Sequence, residues 1–257
     1  MNKENILEIK NLHVQVGDKE IIKGINLEIK EGEVHALMGP NGSGKTSLSF
    51  ALMGHPNYKI TEGEILLNGK DITKLKVDER ARLGLFLGFQ YPSEVSGVSI
   101  AQFLRQAHGI TNKKKLSFTE FNTIIREKMS QLNMDTKFVG RYLNEGFSGG
   151  EKKRNEILQM SILKPQIAIL DEPDSGTDVD ALKLISLGIN EILKENKTGI
   201  LLITHYNRIL SYVKPDYVHI IQEGKIIMSG DFNLAHEIEN KGYETIRGEK
   251  WKLKQAF

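Results

Sequence analysis

The sequence predicts an α/β fold with a mixed, mostly parallel sheet, an antiparallel β layer at the N-terminal end and an inserted helical subdomain. Three observations carry this. Within the first thirty residues, β-branched and apolar side chains recur near period two. Short apolar runs then alternate with amphipathic segments, as strands alternate with helices in a parallel sheet. Between residues 91 and 165 strand signals thin out and helical periodicity takes over.

In chain order, ILEI at 6–9 and EIIKGINLEI at 20–29 form the antiparallel layer, and Lys30-Glu31-Gly32 turns the chain into the next strand. The apolar run VHALM at 34–38 precedes a glycine loop and then KTSLSFALM at 45–53, rich in helix formers: a strand–loop–helix unit. Helices are expected over 100–109, 118–134 and 151–163. Strands return at 167–171, 199–204, 217–222 and 225–229, with a helix over 180–196 between the first two. One domain over 1–257 results, with an α/β core of 1–90 and 166–257 and a helical subdomain of 91–165. The lysine run 113–115 reads as a solvated loop. From Arg247 onward, a mostly charged tail holding Trp251 and Phe257 is expected to fray or to dock as a small piece.

Composition narrows the chemistry. A chain of 257 residues suits one catalytic unit. With 35 Lys and Arg against 33 Asp and Glu, it has no overall field that would recruit nucleic acid or an anionic membrane. No window approaches the roughly 18 to 20 apolar residues of a spanning helix, and MNKENILEIK lacks the pattern of a signal peptide, so a cytoplasmic location without membrane insertion is expected. The absence of cysteine excludes disulfides, thiol nucleophiles and thiolate-held metals. His13, His35, His55, His108, His219 and His236 read as surface or satisfied core imidazoles.

Gly39 to Thr46 (Gly39, Pro40, Asn41, Gly42, Ser43, Gly44, Lys45, Thr46) fit G-x-x-x-x-G-K-[ST] at every fixed position. Triphosphate oxygens need converging N–H donors, and glycines let the backbone turn toward them without a Cβ. The helix starting near Lys45 adds its positive end, Lys45 reaches the β- and γ-phosphates, and the Thr46 hydroxyl enters the Mg²⁺ shell. This loop therefore holds a nucleoside triphosphate with Mg²⁺. In IAILDEP at 167–173, a buried strand delivers Asp171 and Glu172 to the same sheet edge. Asp171 is placed to hold Mg²⁺ through water, and Glu172 to polarise the attacking water. A second anion nest, FSGGEKKR at 147–154, has no use for a single nucleotide in a single chain. It gains one if it meets the γ-phosphate held by another copy.

These motifs resemble the ATPase subunits of the ABC family over nearly the whole chain. Ser148, Gly149 and Gly150 match that family's LSGGQ signature, with Phe147 and Glu151 as variants. FQ at 89–90 resembles its Q-loop, SGTD at 175–178 its D-loop, and ITHY at 203–206 its switch region. The resemblance implies that two subunits sandwich two ATP molecules, that Gln90 senses Mg²⁺ and the attacking water, and that His205 contacts the γ-phosphate. Two departures stand out: Val16 occupies the place where an adenine-stacking aromatic is usual, and Thr177 replaces the usual D-loop leucine. Losing the stacking costs about 0.5 to 1.5 kcal/mol, so weaker and less base-selective ATP binding is expected.

Within the family, GFQYPSEVSGVS at 88–99, DEPDSGTDVDALK at 171–183, THYNRIL at 204–210 and KPDYVHI at 214–220 are similar to the SufC branch. That resemblance implies an ATPase serving an iron–sulfur cluster assembly scaffold, with SufB-like and SufD-like partners that carry the cluster ligands. The alternative is the ATPase subunit of a membrane transporter, whose post-signature helix typically reads QRVAIARAL rather than EKKRNEILQMSIL. No sustained heptads support an SMC-type protein, and a single cassette does not fit a two-cassette ribosomal factor.

Overall fold

The computed structural model describes residues 6–112, 116–205 and 208–254. The lysine run 113–115 and Phe257 lie outside them, and of Trp251 only the backbone is described.

The antiparallel layer has four strands in the order β2-β1-β4-β5: β1 (Ile6–Val16), β2 (Lys19–Lys30), β4 (Lys59–Leu67) and β5 (Lys70–Asp71). In the second sheet, order β12-β11-β3-β10-β9-β6, β3 (Val34–Met38), β6 (Leu85–Gly88), β9 (Ile167–Asp171), β10 (Gly199–Ile203) and β11 (Tyr217–Gln222) run parallel. β12 (Lys225–Gly230) closes the sheet antiparallel to β11. The mixed sheet and the antiparallel layer are thus as the sequence predicts.

Three central strands, β3, β9 and β10, are buried along their whole length, which is why they read as continuous apolar runs. Their side chains still alternate between two cores. Ala36, Met38, Ala168, Leu170, Ile200 and Leu202 face one core. Leu37, Ile167, Ile169, Leu201 and Ile203 face the other, which the antiparallel layer and α1 (Lys45–Met53) complete.

The insertion packs on the first core. It holds α3 (Ile100–Thr111), α4 (Phe118–Gln131) and α5 (Gly149–Leu163), and α6 (Val179–Asn196) follows. Serines at 99, 117 and 148 cap α3, α4 and α5. Several details differ from the sequence expectation. α4 ends at Gln131, because Asn133 turns left-handed (φ 49°) and starts a new turn. The insertion also carries a small sheet of β7 (Val95–Ser99) and β8 (Tyr142–Leu143), too short to show a period of two in sequence. The segment between α1 and β6, for which the sequence suggested no elements, supplies β4, β5 and α2 (Val77–Arg82). α7 (Phe232–Lys254) breaks at Gly242 (φ 73°), so the charged tail begins as helix. Among the described residues no helix is long and apolar enough to cross a membrane.

Candidate active site

The loop between β3 and α1 gathers the first group of site residues. Gly44, just ahead of α1, has φ 109° and offers no side-chain cap, and the first turn carries no acid. The leading amides of α1 are therefore left for an outside acceptor, with the dipole favouring an anion. Each glycine of the loop has its own reason. A Cβ on Gly39 would lie 2.2 Å from the Ile221 carbonyl oxygen, and one on Gly44 would lie 2.9 Å from Ile22. Gly42 adopts φ 77° in open space.

Lys45 is buried at 5% exposure, and its ammonium donates to the Gly39 and Pro40 carbonyls at 2.8 and 3.1 Å. It thus sits under the loop and caps it. Burial lowers its pKa, and Glu172 and Asp171 oppose that shift. The Ser43 hydroxyl is buried with no partner of its own.

β9 ends in the second group. Asp171 is almost fully buried and accepts from the Ser49 hydroxyl at 3.1 Å. Burial raises its pKa, against hydrogen bonds from Thr46 and Ser49. Its second oxygen, Oδ1, is buried without a partner. Among the described residues no cluster of three or more His, Cys, Asp or Glu could chelate a metal. A hydroxyl beside an orphaned carboxylate oxygen instead fits a hard cation that takes most of its ligands from phosphate and water. Thr46 and Asp171, with Ser49 and Gln90, line one cavity of about 200 Å³.

Glu172 stands just past the strand with φ 48°, a left-handed backbone rare for a side chain of this size. Its amide donates to the Ile203 carbonyl at 2.9 Å, fixing the turn. Both carboxylate oxygens are engaged: Gln90 Nε2 donates to one at 2.6 Å, and His205 Nδ1 lies 3.0 Å from the other. Strain of this kind is retained where surrounding contacts over-determine the backbone, and it gathers at functional positions. The structure thus brings Gln90, Glu172 and His205 into one hydrogen-bonded group, although 115 positions separate the first from the last in sequence.

Ser148, Gly149 and Gly150 are placed differently. They open α5 at the surface, and the amide and the hydroxyl of Ser148 both bond Glu151 of the same helix. Among the described residues none connects them to the phosphate loop. The D-loop packs against them, since a Cβ on Gly149 would come within 3.0 Å of the Gly176 carbonyl oxygen. Asp178 caps α6, and Thr177 bonds the Asp174 carbonyl at 2.8 Å. Val16 is half-buried at the end of β1.

Sequence reasoning missed three residues here. Ser49, one helical turn after Thr46, could have been found from that spacing. Lys153 and Glu156 of α5 hold the backbone of Phe89, a long-range contact with no local signal.

A glycine loop at the start of an uncapped helix, a lysine beneath it and a pair of acids at the end of β9, one strand beyond β3's neighbour β10, define a P-loop nucleotide-binding protein. Residues 22–175 match the family model described as ABC transporter. A probable ABC transporter ATP-binding protein of Streptococcus pyogenes serotype M3 is 55% identical over 94% of this chain and 95% of its own. Vegetative protein 296 of Bacillus subtilis is 55% identical over 95% and 94%, and a probable ATP-dependent transporter of Cyanophora paradoxa is 52% identical over 94% and 95%. A bacterial ABC transporter cassette solved as a dimer superposes with a TM-score of 0.75 at 21% identity, covering 88% of this chain and 98% of that one. The chain belongs to the ABC transporter ATP-binding family and is an ATP-binding cassette ATPase.

Proposed function

We propose that two copies of this chain close on two ATP molecules and that hydrolysis drives a shape change in a partner through the helical insertion at 91–165. One observation carries the reading. The chain presents two glycine-flanked helix starts, one uncapped at Lys45 with Asp171 and Glu172 nearby and one on the surface at Ser148, closed in this structure by its own Glu151. In this reading the loop from Gly39 to Thr46 holds the phosphates, with Lys45 at their charge. Mg²⁺ is held by Thr46 and, through water, by Asp171, and is sensed by Gln90. Glu172 polarises the attacking water, His205 contacts the γ-phosphate, and Ser148, Gly149 and Gly150 meet the γ-phosphate of the other copy. A relative of the same fold was solved as a dimer, and another structure shows such a cassette with ADP and phosphate; both support this reading.

For the partner we propose an iron–sulfur cluster assembly scaffold with SufB-like and SufD-like subunits in the cytoplasm, on the strength of the stretches similar to the SufC branch. A chain without cysteine would then contribute motion and no cluster ligands. A second reading, the ATPase subunit of a membrane transporter, is favoured by the names of the relatives, which speak of transporters and back it better than the first. Affinity purification of the tagged chain from its host, followed by mass spectrometry, separates the two. Two soluble scaffold subunits are the expected catch; an integral membrane permease in their place would sink the scaffold reading and leave the ATPase intact.

A further inference from the structure

Two buried charged side chains take no part in the chemistry described so far. Lys153 and Glu156 stand one turn apart on α5, at 3% and 5% exposure, with 3.6 Å between Nζ and Oε2. Both also reach the same residue of another element. Glu156 Oε1 accepts from the Phe89 amide at 2.6 Å, and Lys153 Nζ donates to the Phe89 carbonyl. Burial pushes the Glu156 carboxyl up to about 7 and the Lys153 ammonium down. Desolvation of that size offsets much of the attraction, so the pair is poorly explained as a source of stability. What it achieves is geometric, because it holds both polar groups of one backbone residue against the signature helix.

Phe89 immediately precedes Gln90, whose amide donates to Glu172 at 2.6 Å. At the start of the same helix stands Ser148, five residues before Lys153. A continuous set of bonds therefore runs from Ser148 along α5, through Lys153 and Glu156 to Phe89, then to Gln90 and Glu172. Along it, no joint is a freely rotating surface side chain.

We propose that Lys153 and Glu156 are positioning residues that lock the signature helix to the Q-loop, so that ATP of the partner copy arriving at Ser148 repositions Glu172 in this chain's own site. The proposal rests on the two-copy reading above. A shift of α5 carries Phe89 with it, because both its N–H and its C=O are bound to that helix. Gln90 follows through one peptide bond and moves the hydrogen bond that restrains the carboxylate.

The test uses Lys153→Met, which keeps the side chain's length and removes its donor. Steady-state hydrolysis is measured at chain concentrations where light scattering shows ATP-driven pairing of the wild type. The wild type is expected to show a sigmoidal ATP dependence; for the variant, kcat is expected to fall about ten- to hundredfold with KM for ATP within about threefold, and the dependence to become hyperbolic. Glu156→Gln, which keeps an acceptor for the Phe89 amide, should lose only about threefold in kcat and stay sigmoidal. A purely structural pair would lower the melting temperature and leave the Hill coefficient alone. If Lys153→Met does not fold, Lys153→Leu, which also removes the donor, replaces it, with the same split between kcat and KM expected. Wild-type chains that never pair on ATP would overturn the two-copy reading and this proposal together. Wild-type pairing with unchanged kcat and Hill coefficient in the lysine variant would overturn the clamp alone.

Discussion

Glu172 concentrates the residue-scale physics. Its left-handed backbone and its two hydrogen-bonded oxygens fix a carboxylate at the end of a fully buried strand, where the proposed mechanism places its general base. Substitution Glu172→Gln preserves shape and removes the proposed base. Hydrolysis is expected to fall by about 10² to 10⁴ while ATP affinity measured by calorimetry stays near wild type. Unchanged turnover would remove Glu172 from that role. The residue itself was legible in sequence, because an apolar run ending in Asp-Glu downstream of a glycine-lysine loop is a specific pattern. Its strain and its bracketing by Gln90 and His205 were not, since both depend on residues far away in the chain.

At the scale of elements, helix ends decide what the molecule does. α1 leaves its N-terminus uncapped, but its C-terminal carbonyls are closed by Arg80, whose guanidinium bonds Ala51, Leu52, Leu75 and Thr73 at 2.7 to 3.0 Å with 1% exposure. Burial lowers its pKa to about 10, so it stays charged at neutral pH and complements the helix dipole. Arg80→Met should orphan several buried carbonyls, costing about 3 kcal/mol. For a chain of this size that corresponds to a melting temperature about 6 to 12 °C lower, readable by calorimetry. A melting temperature within a degree of wild type would show that water or neighbouring groups replace the arginine. The start of α5 behaves in the opposite way, with a self-made cap between Ser148 and Glu151. Ser148→Arg should leave ATP binding by each chain intact and abolish ATP-dependent pairing in light scattering. Pairing that survives this change would refute the role proposed for the signature. Sequence located these helices to within a few residues; it gave no hint of Arg80, which meets α1 only because α2 folds across its end.

At the scale of the whole molecule, a polar chain centred on two buried histidines crosses β3, β11 and β12. Glu33, His35, His219 and Ser229 are linked at 3.0, 3.0 and 2.8 Å. Burial lowers the pKa of both histidines, that of His219 to about 4. A histidine whose folded pKa is depressed stays neutral in the native state while the unfolded chain takes up a proton below its ordinary value near 6.5. Its contribution to stability is therefore complete above about pH 6.5 and is lost as pH falls toward about 4. For His219 the loss should reach about 3 kcal/mol once pH falls to about 4, where the folded state also takes up its proton. Denaturant unfolding of His219→Asn should show a shallower decline between pH 6.5 and 4 than wild type. Parallel declines would mean that other groups govern the acid limb. Both histidines were expected as satisfied core or surface residues, which fits the buried pair found, but their mutual contact joins positions 184 residues apart.

What the sequence by itself determined is whatever local chemistry dictates: the fold class, the strand–loop–helix unit and the glycine loop within it. Those follow from short-range rules, because side-chain period and glycine backbone freedom act over a few residues. Tertiary structure alone decided that Gln90 and His205 meet on Glu172, that Arg80 closes α1, and that Lys153 and Glu156 grip Phe89. The physical reason is that each of these contacts is made by groups the sheet order brings together from distant parts of the chain. Their strength comes from burial, which no local pattern encodes.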